Sequence, residues 1–582
     1  MTDTVAPSVS SVLGQLTLEE KVGLLVHPMA IIFPGADFDA PSIVGPSIRE
    51  LVQERHVRYM CLGAPTTPEQ TAEIAGRVQE LASGSPSGLP VVFSTDPRHS
   101  FLDVGGAAHS ASGVSQWPEA LGLGAIGDPE LVRRYAEIVR DDYLAMGIRM
   151  ALHPQVDLTT EPRWPRQAQS FGSDPALTSR LLTAYLAGLQ GTDPGSYAVA
   201  TTTKHFPGGG PQLRGDDPHF PYGREQVYPG GRFDDHLAPF RAAIEAGAAA
   251  IMPYYGMPVG LQLDGTAVEE VGFAFNRQII TGLLREKLGY DGVVLSDFGL
   301  VEDQEIFGKP LPARAWGVEH LSPADRVLRL FDAGIDQLGG VFCTDTVLDL
   351  VREGRLSEER IDQSARRVLA LHEKLGAWKV PSLPAAPTES APRDHILLGA
   401  ATQARAVTVL SNDEVDGHPL LPLSRNARVH LVGISSDALP EHLTASIAED
   451  ADLAIMRVRA PFERRDDYAL EGDMEHGSLE FDDALIAQIA DLARLVPVVL
   501  SVTLSRPAIL TPLLEHTAAI VGEFGATDAA LLEALTGSIS PDGRLPFDLP
   551  RSSRAVEASS PDVAGDIDPL FRRGWGLRLI RR

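Results

Sequence analysis

Cysteine is nearly absent: the 582 residues hold two, Cys61 and Cys343, each inside an apolar stretch. Two lone cysteines supply neither a disulfide framework nor the paired spacing of a zinc site. No run of about 18 apolar residues occurs, so no segment reads as a membrane span. Basic residues are in deficit, 50 Lys and Arg against 78 Asp and Glu, for a net charge of −28. That balance offers no basic face for a phosphate backbone, which excludes nucleic acid as the partner; the acidity itself reads as solubility. The opening MTDTVAPSVSSVLGQLTLEEK lacks a basic start and a continuous apolar core. It is therefore not read as a signal peptide, and the expected location is cytoplasmic. Glycine and proline are plentiful, 54 and 44, yet together they make up only about one residue in six. That is too little for a low-complexity chain and suits a loop-rich globular enzyme.

What is present is an alternation of strand and helix. Thr17-Leu18-Glu19-Glu20 has the form of a capping box and predicts a helix start. After it come the strand-like runs VRYMCLGA, LPVVFSTDPRH, GIRMALHPQVDL, AVATTTKHFPGG, AAAIMPYYGMP, DGVVLSDFGL and AGIDQLGG. Helical segments separate them; in one, Ile279, Ile280, Leu283, Leu284 and Leu288 keep the 3.6-residue period. Buried strands alternating with helices mean parallel sheet with right-handed crossovers. Seven such units before residue 345 fit an α/β fold of the (β/α)8 TIM-like barrel type with an irregular first strand. A helix carrying Val368, Leu371 and Leu375 ends at Gly376, and the Pro-, Ala- and Ser-rich VPSLPAAPTESAPRD follows. The expected division is a catalytic barrel over 1–376, a linker over 377–395 and an α/β sandwich over 396–582.

Several strand runs end in reactive side chains: Asp96, Asp157, Lys204-His205, Tyr255 and Asp297. In a barrel such ends converge on one mouth. Asp297, in DGVVLSDFG, reads as a nucleophile, a metal ligand or a helix cap. Adjacent Lys204 and His205 suit hydroxyl recognition and would steady a carboxylate in its charged form. Asp96 and Arg163 add an acceptor and a fixed donor pair, and Phe298 a flat apolar wall. Trp164 reads as core rather than platform, and Arg166 as readily a surface ion pair. Such a mixture matches a polyhydroxylated ring. Metal-assisted hydrolysis through His99, His153, His205 and His219 finds no His-x-His or His-x-x-x-His pair, and Lys204 beside a ligand would oppose a cation. A non-catalytic sugar binder is the other class, and the complete Asp297 motif argues against it.

The order and spacing of LTLEEKVG, WPEALGLGAIGDPELV, MGIRMALHPQVDLTTEPRWPR, FGSDP, TKHFPGGG, LLREKLGYDGVVLSDFG, GSISPDGRLPFDLP and FRRGWGLRL resemble the family-three glycoside hydrolases over nearly the whole chain. The resemblance implies a barrel, then an α/β sandwich, with a sugar pocket between them and no cofactor or metal. It makes Asp297 the nucleophile, and Asp96, Arg163, Lys204, His205 and Tyr255 the residues gripping the sugar. Phe298 falls where many members have Trp. In many two-domain members a sandwich Glu following a Pro-aromatic pair protonates the leaving oxygen. Pro461-Phe462-Glu463 has that form, with Glu471 and Glu475 in the same loop as alternatives. Related N-acetylglucosaminidases use an Asp-x-His dyad, and Asp217-Pro218-His219 offers one in the barrel. The expected activity is retaining, exo-acting β-glycosidase, foremost β-glucosidase, on a glycoside partner; β-N-acetylglucosaminidase and β-xylosidase are the alternatives.

Overall fold

The computed structural model describes residues 8–580 apart from 44, 105–107, 307, 380–390 and 566. The expected linker at 377–395 therefore lies largely outside the described residues.

Eight parallel strand segments form the first unit: β1 in two pieces (Val26–His27 and Met29–Ala30), β2 (Tyr59–Leu62), β3 (Val92–Thr95), β4 (Ile148–Ala151), β5 (Ala200–Phe206), β6 (Ala250–Pro253), β7 (Val293–Val294) and β8 (Leu338–Gly339). Each pairs with the next, from β1 through β7. Beyond β7, Leu295 bridges Gln337, and β8 returns to the first piece of β1 through Val26–Leu338 and His27–Gly339. The ring closes at β1 because Pro28, which has no N–H to donate, splits the strand. One piece faces β8 and the other β2, which is the physical form of the irregular first strand. Every residue of β2, β3, β5 and β6 is buried, as strands covered on both faces must be.

The outer helices begin where their caps say they should. Thr67, Asp128, Asp174 and Ser322 each accept a backbone N–H and are followed by Pro in the first turn. The box at Thr17 is present: its hydroxyl accepts from the Glu20 amide, and Glu20 accepts from the Thr17 amide at 3.0 Å. One expected helix differs in pitch. Gln278–Lys287 winds in wide turns, with Leu288 N–H donating to Leu283 O, five residues back. The extra residue per turn leaves Ile279, Ile280, Leu283 and Leu284 buried and moves Leu288 to the margin.

The second unit is a six-stranded sheet of β9 (Thr408–Asn412), β10 (Arg428–Val432), β11 (Thr444–Ala445), β12 (Leu453–Arg459), β13 (Val498–Thr503) and β14 (Ala519–Glu523). Its order is β9-β14-β13-β12-β10-β11, parallel except for β9. Apolar layers cover both faces. The barrel contributes to one of them: Leu121 and Ala125, on the short helix Ala120–Ile126, pack with Leu410, Leu500, Phe524 and Phe547. The helix comes this close because position 122 is glycine; a Cβ there would lie 3.2 Å from the Cβ atoms of both Ala406 and Phe524.

Candidate active site

The mouth of the barrel is built from the ends of β3 to β7. Lys204, on β5, donates to Asp96 Oδ1 just past β3 at 2.9 Å, both side chains being buried. The next residue, His205, donates from Nδ1 to Asp157 Oδ2 at 2.8 Å. Asp157 Oδ1 in turn accepts the amides of His205 and Gly209. The glycine run after β5 has a steric reason: a Cβ on Gly210 would sit 1.8 Å from Leu158 O.

This geometry fixes the charge on His205. With its proton on Nδ1, the Nε2 lone pair accepts from Arg166 Nη1 at 3.2 Å. Burial first, and then the neighbouring Arg166 charge, push its pKa well below the usual value, so the ring is neutral. The expected pair of cations at the end of β5 is thus one cation, Lys204, beside an uncharged imidazole. The second positive charge is Arg166. Burial works against it, but Tyr254, Asp217, Asp297 and Asp157 outweigh burial and raise its pKa.

Asp297 follows β7. Tyr255 OH donates to Asp297 Oδ1 at 2.8 Å, and the Phe298 amide donates to the same oxygen at 2.7 Å. The other oxygen, Oδ2, is buried with no hydrogen-bond partner among the described residues. His205 Nε2 lies 3.7 Å from it but carries no proton to give. One carboxylate oxygen is therefore held and the other is free to form a bond. The Phe298 ring presses on Gly339 and Gly340 and lies 6.2 Å from the His27 ring.

Of the two arginines Arg163 and Arg166, Arg166 is the one whose charge is coupled to Asp297. Arg163 donates from Nε and Nη2 to the buried Glu161 at 2.8 and 2.9 Å, and a quarter of its side chain is exposed. Arg166 is the arginine that is buried against His205. The missed signal was local: a carboxylate two residues before Arg163 already engages it, which frees only Arg166 for the mouth. Trp164 is core, with Nε1 donating to Asp217 Oδ2 at 2.9 Å.

The acid candidates separate sharply. Glu471 is buried and fully engaged: Tyr222 OH donates to one oxygen at 2.6 Å, and the Asp467 and Tyr468 amides donate to the other. Glu475 gives one oxygen to Arg459 at 2.7 Å and the other to the Ser505 hydroxyl. Each oxygen of both carboxylates thus has a donor within the fold. Glu463 has 56% of its side chain exposed, accepts the Ser478 amide, and lies 3.8 Å from Arg465. In the barrel, Asp217 and His219 do form a dyad: His219 Nδ1 donates to Asp217 Oδ1 at 2.5 Å. Asp217 Oδ2 accepts from Tyr254 OH as well as from Trp164. Burial opposes the Asp217 charge, but His219 and Arg166 hold it well below the usual carboxylate range. The His219 ring meets the Tyr255 ring edge-on at 4.7 Å.

The four histidines weighed as metal ligands are each engaged elsewhere. His99 pairs with Asp142, His153 lies between Tyr143 and Tyr185, and the other two hold Asp157 and Asp217. Among the described residues no helix is long and apolar enough to cross a membrane.

Comparisons with known proteins point to one family. Residues 17–371 match the Glycosyl hydrolase family 3 N terminal domain, and residues 438–579 the C-terminal domain of that family. Beta-glucosidase C of Emericella nidulans is 42% identical over 579 residues, covering 98% of this chain and 91% of that protein. A periplasmic beta-glucosidase/beta-xylosidase of Dickeya chrysanthemi is 36% identical, covering 98% and 90%. The crystal structure of a beta-glucosidase from Listeria innocua in complex with glucose shares the fold, with a TM-score of 0.75 at 20% identity, covering 98% of this chain and 82% of that one. With both domains matched in order and relatives alike along nearly their whole length, the chain belongs to glycosyl hydrolase family 3.

Proposed function

We propose that the protein is a retaining β-glucosidase acting on terminal β-linked glucose. The observation that carries this reading is the asymmetry of Asp297, with Oδ1 held by Tyr255 and the Phe298 amide and Oδ2 buried without a donor. Oδ2 attacks the anomeric carbon as the bond to the leaving oxygen breaks, and a glycosyl ester forms. Lys204 and Asp96 supply a donor and acceptors for ring hydroxyls, and Arg166 adds positive charge beside the carboxylate. Glu463 protonates the leaving oxygen and then deprotonates the water that releases the sugar. The relatives named for β-glucosidase activity support glucose as the sugar; the Dickeya enzyme's name adds xylose as the alternative.

A 2-deoxy-2-fluoro β-glucoside should leave a covalent sugar on the peptide containing Asp297, read by mass spectrometry. Asp297→Asn should lower kcat by about three orders of magnitude or more. Label on another residue, or a variant keeping more than about a tenth of wild-type turnover, removes Asp297 from this role.

The Asp217–His219 dyad supports a second reading, in which His219 is the acid and the enzyme acts on N-acetylglucosaminides. Azide separates the two. Loss of the acid slows release of the glycosyl-enzyme, and azide, which needs no base, restores that step as a β-glycosyl azide. Rescue is expected for Glu463→Ala and not for His219→Ala. Rescue of the His219 variant places the acid in the barrel.

We also propose that the chain divides functionally at 377–395. The catalytic nucleophile would then lie in the barrel and the acid in the sandwich.

A further inference from the structure

One cation at the mouth has no hydrogen-bond acceptor for its side chain among the described residues. Arg314 lies in the segment after β7 and is 4% exposed. Its Nε is buried without a hydrogen-bond partner, and among the described residues no acceptor takes its guanidinium within hydrogen-bond distance and no carboxylate pairs with it. The other site cations are engaged, Lys204 by Asp96 and Arg163 by Glu161, while Arg166 donates to His205. A buried guanidinium with idle donors is costly, and proteins keep such groups where a ligand completes them.

Its position is defined by the nucleophile's own turn. Cζ of Arg314 lies 5.5 Å from the centroid of the Tyr255 ring, whose hydroxyl donates to Asp297. Nη1 occupies the space where a Cβ of Gly299 would sit, at 2.5 Å, and Gly299 is two residues past Asp297. That glycine has φ +72°, so the turn both needs glycine and makes room for the guanidinium. The backbone is fixed on each side: Arg314 N–H donates to Gly299 O at 3.0 Å, Ala313 N–H to Asp303 Oδ1 at 2.8 Å, and Trp316 Nε1 to Pro218 O at 2.8 Å. The Arg314 charge also acts on His219. The side chain is thus held among Tyr255, His219 and the Asp297 turn, with its donors unused.

We propose that Arg314 reads the substrate, donating from its guanidinium to an acceptor oxygen of the bound glycoside. The inference rests on the glycosidase reading above. The oxygen belongs either to the sugar being cleaved or to the leaving group, and the two sources give different substrate dependence.

The test compares Arg314→Met and Arg314→Lys with wild type on p-nitrophenyl β-glucoside and on cellobiose. A lost charged hydrogen bond predicts a fall in kcat/KM of about 10- to 100-fold for Arg314→Met, with part restored in Arg314→Lys. A loss confined to cellobiose places the oxygen on the leaving group; an equal loss on both places it on the cleaved sugar. A variant within about threefold of wild type on both substrates overturns the proposal. So does a loss shared equally by both variants and accompanied by a matching fall in Tm, which marks a structural arginine. Calorimetric binding of cellobiose to Asp297→Asn, with and without Arg314→Met, needs no turnover. It tests Arg314 even where wild-type enzyme fails to hydrolyse glucosides: equal affinities overturn the proposal, and at least tenfold weaker binding upholds it.

Discussion

Charge at Asp297 is set by single residues whose neighbours have already chosen their protonation. Asp157 fixes the proton of His205 on Nδ1, and the imidazole offers a lone pair where Arg166 needs an acceptor. Arg166 then supplies the positive field at Asp297, whereas Arg163 is neutralised by Glu161. The two arginines, three residues apart, should behave differently. Arg166→Lys loses the reach and fork of the guanidinium in a buried site, and kcat/KM should fall by about 100-fold or more. Arg163→Lys keeps a cation beside Glu161 and should stay within about tenfold. Steady-state kinetics of the two variants decide the assignment, and a reversed order returns Arg163 to the sugar. The sequence made Asp96, Lys204, Tyr255 and Asp297 legible because each ends a strand run, where topology alone aims the side chain at the mouth. Arg163 and Arg166 lie in an irregular loop with no period to orient them, so only the Glu161 contact distinguishes them.

At the scale of elements, the segment carrying Glu463 is held by one buried side chain as well as by its own bridge between Glu463 and His476. Arg506, fully buried after β13, donates to the carbonyls of Pro461, His476, Gly477 and Ser478, and across the domain boundary to Arg163 O at 3.0 Å. Tyr222 to Glu471, Arg465 to Asp216, Lys309 to Asp466 and the Ala469 amide to Pro310 O also tie this loop to the barrel. Arg506→Met removes a donor from five carbonyls, so the loop should loosen and Glu463 lose its position. Alkyl glucosides, which need the acid, should lose about 10- to 100-fold in kcat/KM, while activated aryl glucosides lose less. An equal loss on both classes shows that Arg506 supports the pocket generally and not the acid. The sandwich strands were readable as apolar runs, and helix starts as cap residues. This loop was not, because part of its order comes from carbonyls meeting an arginine 28 or more residues away in sequence.

Across the whole molecule, two sets of buried groups respond to pH in opposite directions. Burial lowers the pKa of His27 to about 3 and of His372 to about 4, and holds His153 and His205 well below their usual value. These rings fold neutral; their contribution is present above about pH 6.5 and is lost as pH falls toward the folded values. Burial raises Glu119 to about 7 and Asp157 to about 6. These carboxyls fold most readily with a proton, so their contribution is present below the ordinary carboxyl range and is lost as pH rises through 6 to 7. Glu119 is the sharper case. One of its oxygens accepts the Phe101 and Leu102 amides, its own N–H donates to Phe524 O of the sandwich, and it borders a cavity of about 50 Å³ beside Lys204. Ionising it in that setting costs about 3 kcal/mol by its displacement from an ordinary Glu. Glu119→Gln keeps the accepting oxygen and removes the charge. Thermal unfolding should show no gain near pH 4.5, where the wild-type carboxyl stays protonated in the fold, and a gain of a few degrees at pH 8. A Tm difference that does not change with pH removes Glu119 ionisation as its cause and leaves only the altered hydrogen bonding of the amide.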